Sequence, residues 1–532
     1  MNIFKKIICL LLVLCFVGTA FIGCGKKGDA NSDAAEGGEG AQGGANGTEA
    51  ATEKPTNEYG EPSFTTKNDY DELDFEGQEI SIMLRNADTV IREWHKDSPE
   101  DELDEAVAMR NSAVAETLNV NVSYEIVPQT GWAEYLQAFN NMIIADVTQD
   151  LHYYDIAVHW ALGAGYANIR DCHANLVDST VFPYFDFTLP CWNLSIVNGS
   201  TVNDQLYLVA GDINISQFDY AVVFWYNKTL YDKKREDSDH ANMQDLALEG
   251  LWTYEELYLW ANRLYEDSNG EQGKQADDTY GYGCSTPNAN TQPVPKDAIA
   301  AAFDIDLLDT NADGTHYYTI IGNEKAEKAR QMWINLSNAN GATDSASVNN
   351  FAAGKYLFWV SQIYPGKQAN MTIREMNDKY GLLPMPKYDA DQEQYYTAAS
   401  DHYALMSVLD HTESTVTTKG EEVSAYLQLA TEESYTSVRG YYFNRIIKPK
   451  YFGTDDSEGT VTNSIALFDI IVDNIEFDYW TIYSPQLNDV AWLWRDAVGV
   501  TGTLESIYMS EEDLYKQMIT ETDAWLGLRS AE

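Results

Sequence analysis

Leu206–Leu230 reads LYLVAGDINISQFDYAVVFWYNKTL, and this stretch decides how the rest of the chain is organised. Two apolar, β-prone runs, Leu206–Ala210 and Tyr220–Tyr226, flank the polar segment Gly211–Asp219. The second run packs Tyr220, Val222, Val223, Phe224, Trp225 and Tyr226 together. β-Branched and aromatic residues suit a pleated, largely buried strand. Asn227-Lys228 then closes the run with turn chemistry. A Trp-Thr helix start and a Gly-Asp-rich loop follow downstream.

Upstream, strand and helix signals alternate. Glu79–Leu84 alternates like a strand, and Ser98-Pro99-Glu100 starts a helix whose buried stripe is Ala106, Val107, Ala113, Val114 and Leu118. Val120–Val127 reads as a second strand, Trp132–Val147 as a second helix and Asp155–Trp160 as a third strand. That order predicts a parallel sheet covered by helices. Ligands on such sheets bind in the crevice beyond the strand carboxyl ends, where Asn86 and Trp160 fall. Neither Gly-x-Gly-x-x-Gly after the first strand nor a Walker loop is present, so nucleotide chemistry has no support.

The amino terminus reads as an export signal. Lys5-Lys6 precedes the apolar run Ile7–Phe21, which is short for a membrane span. Phe21-Ile22-Gly23-Cys24 resembles the bacterial lipobox, which marks Cys24 for lipidation after removal of residues 1–23. Residues 24–70 are rich in Gly, Ala and Glu, with too little to bury to recover their ordering entropy, and read as a disordered tether. The implied address is the cell membrane, lipid-anchored and facing the extracellular side. The chain has 34 basic and 83 acidic residues, a net charge of −49. That balance excludes nucleic acid and anionic lipid as partners of the folded body. Of the six cysteines, Cys172, Cys191 and Cys284 remain in the body, and pairing of Cys172 with Cys191 stays open.

Further motifs follow in order. Leu251–Leu257 (LWTYEEL) places Thr253 and Glu256 as a capping box. Phe351–Trp359 (FAAGKYLFW) reads as helix, turn and strand, and Tyr380–Lys387 (YGLLPMPK) as a strand ending in Pro-x-Pro. Together with Leu206–Leu230, these motifs resemble family 1 extracellular solute-binding proteins, the ligand receptors of ABC importers. The resemblance spans essentially residues 73–530. It implies an α/β, two-lobed fold of the periplasmic-binding-protein type, hinged at chain crossovers. Residues 71–210 and 400–480 would form the first lobe, and 211–399 and 481–532 the second. It further implies a monomer that captures a carbohydrate between the lobes, delivers it to permease subunits and requires no cofactor.

Thirteen tryptophans and 35 tyrosines also point to carbohydrate, since pyranose C–H faces lie on aromatic rings while carboxylates and amides take the hydroxyls. Aromatics dominate cores as well, and Trp192, Trp252 and Trp260 are assigned there. The candidate ligand contacts follow strand ends or crossovers: Trp160, Asp212, Trp225, Trp359, Asp401 and Tyr403. For Trp225 and Trp359 the competing expectation is burial in the second lobe. Asp267, Asn269, Glu271 and Asp278 carry the oxygen donors of a structural calcium loop, although glycine sits at positions 4 and 7 of that loop rather than 6. A solvated turn is the equal alternative. Asp309–Gly314 starts a similar pattern but meets Ile320 at its twelfth position, so a plain turn is expected.

Gly-x-Ser-x-Gly, His-Glu-x-x-His and Cys-x-x-Cys are all missing from the sequence, so no enzyme is expected. The alternatives are a secreted glycoside hydrolase, which needs two carboxylates facing one bond, and a surface carbohydrate-binding protein without a transport role.

Overall fold

The structure, a computed structural model, describes residues 62–528 apart from 97, 129–131, 272, 285–293, 364–372, 412–418, 453–458, 478 and 498–501. The signal, Cys24 and nearly all of the tether lie outside the described residues.

The body is built on two sheets. The chain enters the first through β1 (Gln78–Arg85), followed by α1 (Asp88–Trp94) and α2 (Glu102–Leu118). Asp101 caps α2 by accepting from the N–H groups of Leu103 and Asp104, and Asn119 ends it in the left-handed region at φ 49°. β2 (Val120–Val127), α3 (Trp132–Thr148) and β3 (Ile156–Trp160) complete the alternation. β1 pairs in parallel with both β2 and β3. The crossover carries α4 (Leu194–Ser200), whose N-cap Asn193 accepts from Ile196 N–H.

β4 (Val222–Asn227) opens the second sheet. Its last residue, Asn227, also caps the short helix that follows by accepting from Leu230 N–H. Then come α5 (Met243–Leu248), α6 (Tyr254–Arg263), β5 (Tyr265–Glu266), β6 (Thr279–Gly283), the hairpin strands β7 (Leu308–Thr310) and β8 (His316–Tyr318), and β9 (Ala342–Thr343). α7 (Val348–Ala352) turns at Gly354, φ 76°, into β10 (Tyr356–Gln362), and β11 (Tyr380–Leu383) follows. The six-stranded sheet runs β11-β4-β10-β6-β5, with β9 on β6. β12 (Thr397–Ala398) leads back to β13 (Ala404–Val408), which lies antiparallel on β3 and gives the first sheet its order, β13-β3-β1-β2.

The chain passes between the sheets a third time. α8 (Gly420–Glu433) packs on α2 and runs into two π-wound segments, Ser434–Arg439 and Tyr442–Tyr451. α9 (Thr460–Asp473) then packs on β11 and α5, β14 (Ile475–Glu476) pairs with β12, and α10 (Val490–Ala497) follows. Residues 400–480 thus contribute to both sheets, β13 pairing with β3 and α9 packing on β11.

Several local expectations are refined. Thr253 sits at the N-cap of α6 with extended backbone, but its side chain makes no capping bond. The helix start is held instead by Tyr254 N–H donating to Lys387 O at 2.8 Å. Leu206–Ala210 forms no regular strand; Val209 alone bridges Met406 of β13. Ser216–Asp219, inside the expected polar turn, winds into one helical turn. Cys172, Cys191 and Cys284 are buried thiols, and none of them is in a disulfide. Asp309–Gly314 runs from the end of β7 into the turn before β8.

Candidate functional site

The parallel strands end together at Arg85 and Trp160, and β13 begins opposite Trp160 at Ala404. This edge gathers a compact group of side chains. Arg85 Cζ lies 5.0 Å from the Trp160 ring centroid, and the His402 ring lies 4.9 Å from it, tilted by 43°. Arg85 Nη2 donates to His402 O at 2.9 Å. Tyr220, at the end of the first crossover, places its ring 5.7 Å from His402 and its hydroxyl 3.2 Å from Thr89 Oγ1. Asp401 Oδ1 is 2.6 Å from His402 Nδ1, while Arg495 Nη2 of α10 donates to Asp401 Oδ2 at 2.6 Å. Burial would raise the Asp401 carboxyl, but the adjacent His402 ring and Arg495 guanidinium outweigh it and hold the group well below the usual carboxylate range. It is an ionised acceptor, not a proton donor.

Of the residues anticipated from sequence, Trp160, Asp401 and Tyr403 meet here. Trp160 is 6% exposed and Asp401 5%. Tyr403 contributes backbone, its carbonyl accepting from Ala161 N–H at 3.1 Å, while its ring packs edge-on against Phe477 at 4.6 Å. His402, between the two anticipated residues, is the one that reaches Trp160. Residues 401–403 form the turn that enters β13, so strand alternation does not single out His402, and Arg85, Tyr220 and Arg495 carry no local signal either.

The other candidates lie elsewhere. Trp225 and Trp359 face each other across β4 and β10. Trp225 is completely buried, with Nε1 donating to Gln362 O at 3.2 Å. Trp359 is 5% exposed and packs on Phe351, ring centroids 5.5 Å apart. Both belong to the core of the second sheet, whose opposite face carries Phe224, Tyr226 and Phe358 under Trp252. Asp212 is 3% exposed and paired with Arg439 at 3.1 Å.

The calcium-like loop closes on its own donors. Asp267 Oδ1 accepts from Asn269 N–H at 3.1 Å and Gly270 N–H at 2.6 Å, and Asn269 Oδ1 accepts from Glu271 N–H at 2.8 Å. Asp278 accepts from Ser268 N–H, Gln275 N–H and the Tyr265 hydroxyl at 2.8–3.0 Å. The backbone bonds from Ser268 and Gln275 lower the Asp278 carboxyl below its ordinary value. Among the described residues, no group of three or more His, Cys, Asp or Glu is placed to hold a metal ion.

Two sheets of this topology, joined by chain crossovers with polar and aromatic groups at the strand ends, define the two-lobed fold of solute-binding proteins. Solved structures agree. The chain superposes on the sugar-binding protein MalE from Xanthomonas citri with a TM-score of 0.53 at 12% identity, covering 85% of this chain and 100% of that one. It superposes equally, at 0.53 and 15% identity, on the cyclic alpha-maltosyl-1,6-maltose binding protein from Arthrobacter globiformis, covering 83% and 99%. No protein-family model matches the sequence, and no curated protein matches it either.

Proposed function

We infer that this chain is the receptor of an ABC importer, held through Cys24 on the extracellular face of the cell membrane, which captures an oligosaccharide and delivers it to the permease without altering it. The observation that carries this reading is the Arg85–Trp160–His402–Asp401–Arg495 group at the strand ends of this fold. An indole offers a flat face for pyranose C–H groups, and the charged groups around it offer directional donors and acceptors for hydroxyls. The two superposable neighbours are both named as sugar binders.

Hydrolysis finds less support at this position. A glycosidase needs a protonated carboxylic acid opposite a second carboxylate. Asp401 is ionised and engaged by Arg495 and His402. The test is incubation with labelled malto-oligosaccharides followed by chromatography. A receptor retains the intact ligand saturably and yields no shorter products; steady release of shorter products would establish a hydrolase.

A further inference from the structure

A small space of about 30 Å³ lies between Asp401, Tyr403, Trp480 and Arg495. A much larger cavity, about 640 Å³, opens where the first crossover meets the π-wound segments of the third. It shares no lining residue with the strand-end group. Its size lies within the usual range of small-molecule pockets, about 300–1,000 Å³.

The wall is built rather than incidental. Asp212 accepts from Arg439 Nη1 at 3.1 and 3.3 Å. Arg439 Cζ in turn lies 5.5, 5.0 and 5.1 Å from the ring centroids of Phe218, Tyr435 and Phe443. Three aromatic faces and a carboxylate hold that guanidinium in one orientation. The lining amides are also set. Asn193 Nδ2 donates to Gln217 Oε1 at 2.7 Å, and Gln217 Nε2 donates to Gly211 O at 2.8 Å. π-Wound turns are uncommon and concentrate at functional sites, and Tyr435, Arg439 and Phe443 all come from them.

The chemistry of the wall selects a ligand class. Its two cations, Arg439 and Lys448, are matched by Asp212 and by Asp469, the latter at 2.9 Å. Asp473 adds a third carboxylate, so the lining is net acidic and disfavours phosphates and acidic sugars. Paired carboxylate and guanidinium groups keep further lone pairs and N–H groups for hydroxyls. We propose that this cavity is a second binding site, for an uncharged mono- or disaccharide, separate from the strand-end site.

Calorimetric titration with D-glucose, maltose and maltotriose tests it on three proteins. The intact chain should show two sites with at least one of these sugars. Trp160→Ala should keep the cavity site, whereas Ser195→Trp, which places an indole in the cavity from α4, should weaken that site at least tenfold and keep the other. Val472→Trp on α9 serves the same purpose should Ser195→Trp fold poorly. A cavity site that persists in Trp160→Ala stands even if the strand-end reading fails. One site in the intact protein and none in Trp160→Ala would overturn the proposal. So would unchanged affinities in the folded cavity-filling variants, or no saturable binding of any of the three sugars.

Discussion

Glu93 offers a demanding check on the polar interior between the sheets. It lies on α1 with 1% of its surface exposed, accepting from Ser216 N–H at 2.7 Å and from Ser216 Oγ at 3.1 Å. Ser216 Oγ also accepts from Ala404 N–H at 3.1 Å, so this carboxyl joins α1 to the first crossover and to the start of β13. Burial, reinforced by the nearby Asp219 charge, pushes it from 4.5 to about 8 despite the Ser216 bonds. Asp219, bonded by the Tyr442 hydroxyl, is itself pushed up to about 6 by burial. Arg110 donates to the Glu93 carbonyl at 2.9 Å, and Arg92 opposes the rise at Asp219. The folded protein thus keeps a proton on Glu93 that the unfolded chain releases above 4.5. Its contribution to stability is complete below that pH and is lost as the pH rises through about 8. The full span corresponds to on the order of 5 kcal/mol, with a limiting slope of about 1.4 kcal/mol per pH unit. Glu93→Gln removes the titration while keeping an acceptor for Ser216 N–H. Urea unfolding of both proteins at pH 5, 6, 7 and 8 measures the difference. The variant should match or slightly trail the parent at pH 5 and gain on it steadily toward pH 8. Parallel curves across that range would refute the buried, protonated carboxyl.

Three further outcomes are expected. Trp359→Ala should cost about 3–5 kcal/mol of stability, because its ring packs in the core of the second sheet, and leave sugar affinity in the folded fraction near normal. Normal melting with lost affinity would instead put the ring in the ligand cleft. Asp278→Ala should lower the melting temperature equally with and without a chelator, since the N–H groups of Ser268 and Gln275 and the Tyr265 hydroxyl hold the loop; chelator sensitivity in the intact protein would place calcium there. Cys24→Ala should move the protein from the membrane fraction to the medium with unchanged affinity, and retention on the membrane would rule out the lipid anchor.

Regular strands were legible because alternation and β-branched runs are local signals. β1, β2, β3, β10 and β11 fall within a residue or two of their sequence reading, or extend it. Losses came where distant groups decide the outcome. Thr253 looks like half of a capping box, but Lys387, 134 residues on, takes the helix start. Nothing local marks the end of α9 before Ile475–Glu476, which pairs with β12. Sequence placed Trp160 and Asp401 at strand ends, where they meet. It could not place Arg495, which reaches Asp401 across 94 residues, or Arg439, which reaches Asp212 across 227. For Trp225 and Trp359 the sequence left both cleft and core open, and only the β4–β10 register and their burial separate the two.

The most direct measurement is the affinity of malto-oligosaccharides for the intact protein and for Trp160→Ala, each first shown to be folded by its melting curve. An aromatic ring stacked on a ligand ring contributes on the order of 1–3 kcal/mol, so the account predicts saturable binding that weakens roughly five- to hundred-fold in the variant. Unchanged affinity in a folded Trp160→Ala protein would contradict the claim that the strand-end group is where this receptor takes its sugar.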